Sequence, residues 1–179
     1  MKKFFWSFFE IIETVTIAVV AVFLVRTFIA QPFLVSGASM EPTFYNGNYL
    51  LIDEVAYRFR EPVRGEVVVF RYPGDLRSYY IKRIIGLPEE RVVVDQGQVI
   101  IWDGSEKIVI NEPYVADKTT GYAEVRLDKN QYFVMGDNRN FSFDSRNWGP
   151  VSRTNFIGLV RLRLWPISEA QAFTAPSYR

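Results

Sequence analysis

The sequence predicts a mainly β domain of coiled antiparallel sheets, preceded by one apolar N-terminal helix. Three observations carry this expectation. Residues 1–35 hold an apolar and aromatic run that differs from everything after it. From Pro32 onward the pattern changes to short runs rich in β-branched and aromatic residues, broken by Gly, Pro, Asn and Asp. Past residue 35 no helical period of any length recurs, apart from a short stretch at 54–59.

The N-terminal segment opens with Lys2 and Lys3, then Phe4, Phe5, Trp6, Phe8 and Phe9. Residues 14–25 carry no charge; Glu10 and Glu13 lie before them and Arg26 after. A helix of about 20 residues spans a bilayer core. The uncharged centre is shorter than that, but Glu13 and Arg26 can sit near opposite interfaces. The early aromatics suit an interfacial belt and the lysines a cytoplasmic side. The segment therefore reads as an uncleaved transmembrane anchor over 1–31, with the remainder on the extracytoplasmic face of the cell membrane. A cleaved signal peptide has the same charge order, but bulky Phe28 stands where cleavage after Ala30 wants a small residue. A buried helix of a soluble domain is the other alternative; the dense aromatics and lysines at its start speak against it.

The β-rich domain is expected over 32–167, with candidate strands at 49–53, 66–72, 79–85, 91–95, 98–102, 107–110, 131–135 and 156–164. The 95–98 stretch, with Gly97, reads as a tight hairpin turn. Residues 160–164 alternate apolar and charged, as a half-buried strand does. The polar, turn-rich stretch 103–129 reads as an excursion from the main sheet, and 168–179 as a loose tail.

Composition excludes more than it assigns. The chain has 179 residues, enough for one domain and an anchor, and a net charge of +1, which gives no nucleic-acid footprint. It contains no Cys and no His. Thiol nucleophiles, thiolate metal sites and every Ser-His or Cys-His arrangement are thereby removed, and a hydrolase here must take its base from Lys, Asp, Glu or Tyr.

Three stretches carry chemistry. Ser36-Gly37-Ala38-Ser39-Met40-Glu41-Pro42-Thr43 puts a serine on a turn directly after the apolar segment. A nucleophile wants such an exposed backbone with N–H groups aimed at an oxyanion, though most turn serines only form turns. Tyr79-Tyr80-Ile81-Lys82-Arg83-Ile84-Ile85 sets two cations in an apolar strand. Alternation puts Tyr80, Lys82 and Ile84 on one face and Ile81, Arg83 and Ile85 on the other, so one cation shares a face with hydrophobes. Burial would lower a lysine's pKa toward a usable base; an edge lysine guarding against aggregation is the plainer alternative. Gly136-Asp137-Asn138-Arg139-Asn140-Phe141-Ser142-Phe143-Asp144-Ser145-Arg146 is dense in hydrogen-bonding groups, with Asp144 and Arg146 a plausible pair, or else simply a solvated loop.

Together these stretches resemble the bacterial type I signal peptidases, over nearly the whole chain to about Pro166. Ser-Met-x-Pro-Thr is similar to the family's nucleophile box, which maps Ser39 to the catalytic serine with Met40 after it. Tyr80-Ile81-Lys82-Arg83 with Gly86-Leu87-Pro88 resembles the lysine box and maps Lys82 to the general base. Gly65-Glu66-Val67-Val68-Val69-Phe70 resembles the strand between them, with Glu66 in place of the usual Asp. The 136–146 stretch is similar to the last box. There the resemblance implies that Ser142 hydrogen-bonds and orients the lysine, while Asp144 and Arg146 form a structural pair; Phe141 stands where Asn is common. Gly37 occupies the position at which some members carry an oxyanion-binding serine. The hole would then rest on the Ser39 backbone N–H, with that of Gly37 a candidate beside it. The resemblance further implies a coiled-sheet protease fold, no cofactor or metal, and a preprotein substrate cut after small residues at −3 and −1. The bilayer is the other expected partner; neither nucleic acid nor an obligate protein partner is indicated. A self-cleaving Ser-Lys repressor would need a DNA-binding domain where the apolar segment stands. A penicillin-binding enzyme would need Ser-x-x-Lys, which is absent. A membrane-tethered binding module or an inactive homologue is the non-enzyme alternative.

Overall fold

The computed structural model describes the backbone of residues 2–28, 30–176 and 178, and their side chains apart from 2–5, 7–9, 23–28 and 30. Helix α1 (Lys2–Phe28) leads into β1 (Ala30–Leu34). Within α1 the Thr14 and Thr16 hydroxyls donate to the Glu10 and Ile12 carbonyls one turn back, at 2.8 and 2.7 Å, so neither needs water. Among the described residues no helix is long and apolar enough to cross a membrane. The anchor expected over 1–31 falls partly outside the described residues.

The remaining elements are β2 (Tyr49–Asp53), a short helix α2 (Ala56–Phe59), β3 (Val67–Tyr72), β4 (Asp75–Gly86), β5 (Arg91–Asp95), β6 (Gln98–Asp103), β7 (Glu106–Val109), β8 (Ala123–Arg126), β9 (Gln131–Met135), a short helix α3 (Ser145–Trp148), β10 (Val151–Ser152), β11 (Phe156–Trp165) and β12 (Gln171–Ala172). Eight strands form one sheet in the order β1-β2-β11-β3-β4-β9-β10, with β12 against β11; the second sheet runs β7-β6-β5-β8. Each pairing is antiparallel. The expected strands are present, and four more appear that lack a readable apolar alternation: β1, β8, β10 and β12. Pairing with a neighbour forms them, and Pro32 is tolerated in β1 because that strand lies at a sheet edge.

The main sheet coils. Phe33 of β1 meets Tyr79 of β4 edge-on at 5.7 Å, although β2, β11 and β3 lie between those strands in the sheet. Register shifts along β11, at Phe156/Gly158, Val160/Leu162 and Arg163/Trp165, supply the bends. Inside the coil Met40, Phe44, Leu50, Ile52, Val69 and Val160 form one core. Phe70, Ile84, Tyr132, Val134 and Phe156 form a second on the opposite face. Ile85, Val92, Ile101, Phe133 and Met135 form a third where the two sheets meet. Each fully buried Leu, Ile or Phe contributes about 1.5–3 kcal/mol.

Two regions depart from expectation. The layer outside the main sheet is larger than 103–129, because β5 and β6 belong to it. These two strands are joined by a turn in which both Gln96 and Gly97 have positive φ. The segment 168–179 is not a loose tail over its described part. β12 pairs with β11, Phe173 packs on Phe44 with ring centroids 4.5 Å apart, and the Tyr178 hydroxyl lies 2.9 Å from that of Tyr114. Aromatic side chains with apolar surfaces to cover hold this segment against the domain.

Candidate active site

The chain leaves β1 with its pairing extended by one turn: Val35 N–H donates to Asn48 O and Gly47 N–H to Val35 O, both at 2.9 Å. Gly37 then takes φ +96°, open to glycine but costly for other residues, and turns the chain toward Ser39. Its N–H donates to Asn46 Oδ1 at 3.0 Å. The Gly37 amide, a candidate second oxyanion donor from the sequence, is engaged by Asn46 in this structure. The Ser39 N–H has no acceptor among the described residues. Met40, only 1% exposed, anchors the loop from beneath in the core with Phe44 and Leu50.

β4 brings the lysine. Lys82 Nζ lies 2.7 Å from Ser39 Oγ and donates to the Ile81 carbonyl at 3.0 Å. The side chain is buried, and no carboxylate forms an ion pair with it among the described residues. Burial pushes its pKa down to about 8; the charges of Asp144 and Asp137 partly oppose this and that of Arg146 adds to it. The Tyr80 ring stands 5.5 Å from Nζ and stacks on Tyr72 at 4.7 Å.

The 136–146 loop closes over both residues. Asn138 N–H donates to the Ser39 carbonyl at 3.1 Å and Asn138 Nδ2 to the Ala38 carbonyl at 3.0 Å. A Cβ added at Gly136 would stand 2.3 Å from both Ser39 O and Ser142 Oγ, so only glycine admits this contact. Asp144 is fully buried and pairs with Arg146 through two bonds of 2.8 and 2.9 Å, as expected from the sequence. It also accepts from Gly136 N–H at 3.0 Å and caps α3. The Ser142 Oγ is buried without a hydrogen-bond partner among the described residues, and makes no bond to Lys82 in this structure.

Several residues that frame the site escaped the sequence reading. Asp137 accepts two bonds from Arg83, at 2.8 and 2.5 Å, and one from Thr43 Oγ1 at 2.5 Å, tying the turn after β1, β4 and the 136–146 loop together. Arg83 lies 3.9 Å from the centre of the Tyr114 ring. Arg139 pairs with Glu112, which also accepts from the Tyr114 hydroxyl. Alternation showed that Arg83 faces away from Lys82, but partners 54 residues apart leave no mark on spacing.

Ser39 and Lys82 open onto a cleft of about 570 Å³. Val35, Leu50, Val69 and Ile81 line one part of it, while Phe141 and Phe143 line it from the 136–146 loop. A hydroxyl beside a buried amine that lacks an ion-pair partner, at such a cleft, has the means of a serine hydrolase working with an amine base. Residues 8–165 match the family model for signal peptidase, peptidase S26, and the chain belongs to that family of serine endopeptidases. It is 37% identical to a probable signal peptidase I-2 of Synechocystis sp., over 97% of this chain and 80% of that protein. It is 37% identical to signal peptidase I of Leptolyngbya laminosa, over 94% and 86% respectively. Against signal peptidase I of Bacillus licheniformis the identity is 34%, over 91% of each.

Proposed function

We propose that this enzyme is a membrane-bound endopeptidase that removes N-terminal signal peptides from preproteins, with Ser39 as nucleophile and Lys82 as general base. The observation that carries the reading is the 2.7 Å approach of Ser39 Oγ to a buried Lys82 amine that has no ion-pair partner among the described residues. With a pKa of about 8, roughly a tenth of the amine is neutral at pH 7 and about half at pH 8.

Neutral Lys82 takes the Ser39 proton as Oγ attacks the scissile carbonyl. The Ser39 N–H donates to the oxyanion. The Lys82 ammonium then protonates the departing amine, the acyl-enzyme remains on Ser39, and Lys82 deprotonates the water that hydrolyses it. Ser142, whose buried hydroxyl has no partner among the described residues, orients the amine as it passes through these states. Asp144 and Arg146 hold the loop that carries it.

The substrate fits as an extended strand. β1 is a sheet edge, and β4 pairs with β9 only from Arg83 onward, so its first half is open on that side. The wall of Val35, Leu50, Val69 and Ile81 leaves room for small side chains, which suits small residues at −3 and −1. Helix α1 supports the anchor: Ile11, Ile17 and Val19 are each 62% exposed, and Val22 66%, apolar surface that lipid would cover. The lysines at its start put the N-terminus inside and the β domain on the extracytoplasmic face.

The test is cleavage of a preprotein by the detergent-solubilised protein. Wild type releases the signal peptide with a rate rising through about pH 8, and Ser39→Ala does not; equal cleavage by both would end the assignment. External protease added to spheroplasts digests the β domain in the proposed orientation, and protection until lysis would reverse it.

A further inference from the structure

Phe141 and Phe143 are 75% and 52% exposed, yet they sit on a firmly held loop. Asn138 ties that loop to the Ser39 and Ala38 carbonyls, and Asp144 ties it through Gly136 N–H and Arg146. Both rings line the cleft that holds Ser39 and Lys82. Large aromatic side chains kept rigid and wet beside a nucleophile lose little entropy when a ligand covers them.

The chemistry decides which part of the ligand that is. Lys82 Nζ must hand its proton to the departing amine, so the amine lies within hydrogen-bond reach of Nζ, and the chain that follows it runs on past Nζ. On the Lys82 face of β4 the neighbouring surface is aromatic. The Tyr80 ring stands 5.5 Å from Nζ, Tyr72 stacks on Tyr80, and Phe143 meets Tyr72 edge-on at 6.2 Å. Ile81, on the other face of β4, belongs with Val35, Leu50 and Val69. The cleft thus has the Val35, Leu50, Val69 and Ile81 surface on one side, and Phe141 and Phe143 on the loop that covers Lys82.

We propose that Phe141 and Phe143 form a specificity site for the first two residues after the cut, taking an apolar or aromatic side chain there. The proposal rests on the reading of Ser39 and Lys82 as the cleaving pair. Burying one such side chain against these rings favours it over a polar one by about tenfold, the scale on which apolar pockets discriminate.

The experiment uses the full-length protein in detergent with signal-peptide substrates that differ only in carrying Ser, Leu or Phe at the first or second position after the cut. Wild type is expected to show a kcat/KM ratio of about ten for Leu or Phe over Ser at one of these positions. In the Phe141→Ala/Phe143→Ala double variant that ratio falls toward one. A wild-type ratio near one, or a ratio that survives in the double variant, overturns the proposal. So does a double variant that keeps the ratio but binds lipid vesicles less tightly, which would make the rings a membrane contact. A wild type that cleaves none of the substrates removes the underlying reading instead, and is distinguishable from all of these.

Discussion

Lys82 and Arg83 are neighbours on β4, point to opposite faces and are buried alike, 4% and 5% exposed. Their surroundings differ. Arg83 donates two bonds to Asp137 and one to the Gly65 carbonyl, and packs on the Tyr114 ring. Lys82 has a serine hydroxyl, one carbonyl and a ring. Burial opposes the charge of both, but only Arg83 has a carboxylate in contact to offset it, and its pKa is raised while that of Lys82 falls to about 8. Adjacent positions on one strand thus yield a braced cation and an amine of lowered pKa, and the difference lies in whether a counter-charge reaches the cation.

Substitution should separate the two most sharply in turnover. Lys82→Arg keeps a cation that does not deprotonate, and Lys82→Met keeps the volume without the amine; both should lower kcat by about a thousandfold or more. Near wild-type cleavage by either would refute Lys82 as the base. Lys82→Met should also fold more firmly than wild type at neutral pH. The folded pKa of about 8 lies below the ordinary 10.5, so between these values the unfolded chain binds more protons and stability rises with pH. Below pH 8 the full cost of burying the amine, about 3 kcal/mol, is present, and Met removes it. The advantage should be largest at pH 7 and shrink toward pH 10.5, as melting temperatures in detergent would report.

Arg83→Met should act in the opposite sense. It leaves Asp137 buried and unpaired, and breaking such a pair costs about 3–5 kcal/mol. Loss of Thr43 and Asp137 positioning should lower turnover as well. Stabilisation by both substitutions would show that the Asp137 contact does not distinguish the two cations.

The sequence makes one half of this contrast readable and hides the other. Alternation along 79–85 separates Lys82 from Arg83, and the short boxes identify Ser39, Lys82 and the Asp144–Arg146 pair. What stays hidden is contact across the fold. Asp137 reaches Arg83 and Thr43 only because the loop after β9 crosses the turn after β1. The Gly37 amide is engaged because Asn46 folds back onto it. The strands without alternation, such as β1 and β12, are formed by neighbours rather than by their own pattern. The tail docks through Phe173 and Tyr178, whose partners, Phe44 and Tyr114, lie far away in the chain.

The smallest expected effect belongs to Ser142→Ala, and it tests whether the Lys82 side of β4 has a second orienting group. The Ser142 hydroxyl is buried without a partner among the described residues, while the Ser39–Lys82 contact is already made at 2.7 Å. Removing an unpaired buried hydroxyl gives up no hydrogen bond and relieves a desolvation cost, so melting temperature should stay level or rise slightly. If the hydroxyl binds the amine during turnover, when Nζ gains and loses a proton, kcat should fall by about tenfold to a hundredfold with KM little changed. The combination is diagnostic, since a purely structural role predicts the reverse, a lower melting temperature with intact turnover in the folded fraction. Thr at this position retains a hydroxyl and should recover part of the rate. Unchanged kcat in Ser142→Ala would leave Lys82 oriented by Ser39 and the Ile81 carbonyl alone.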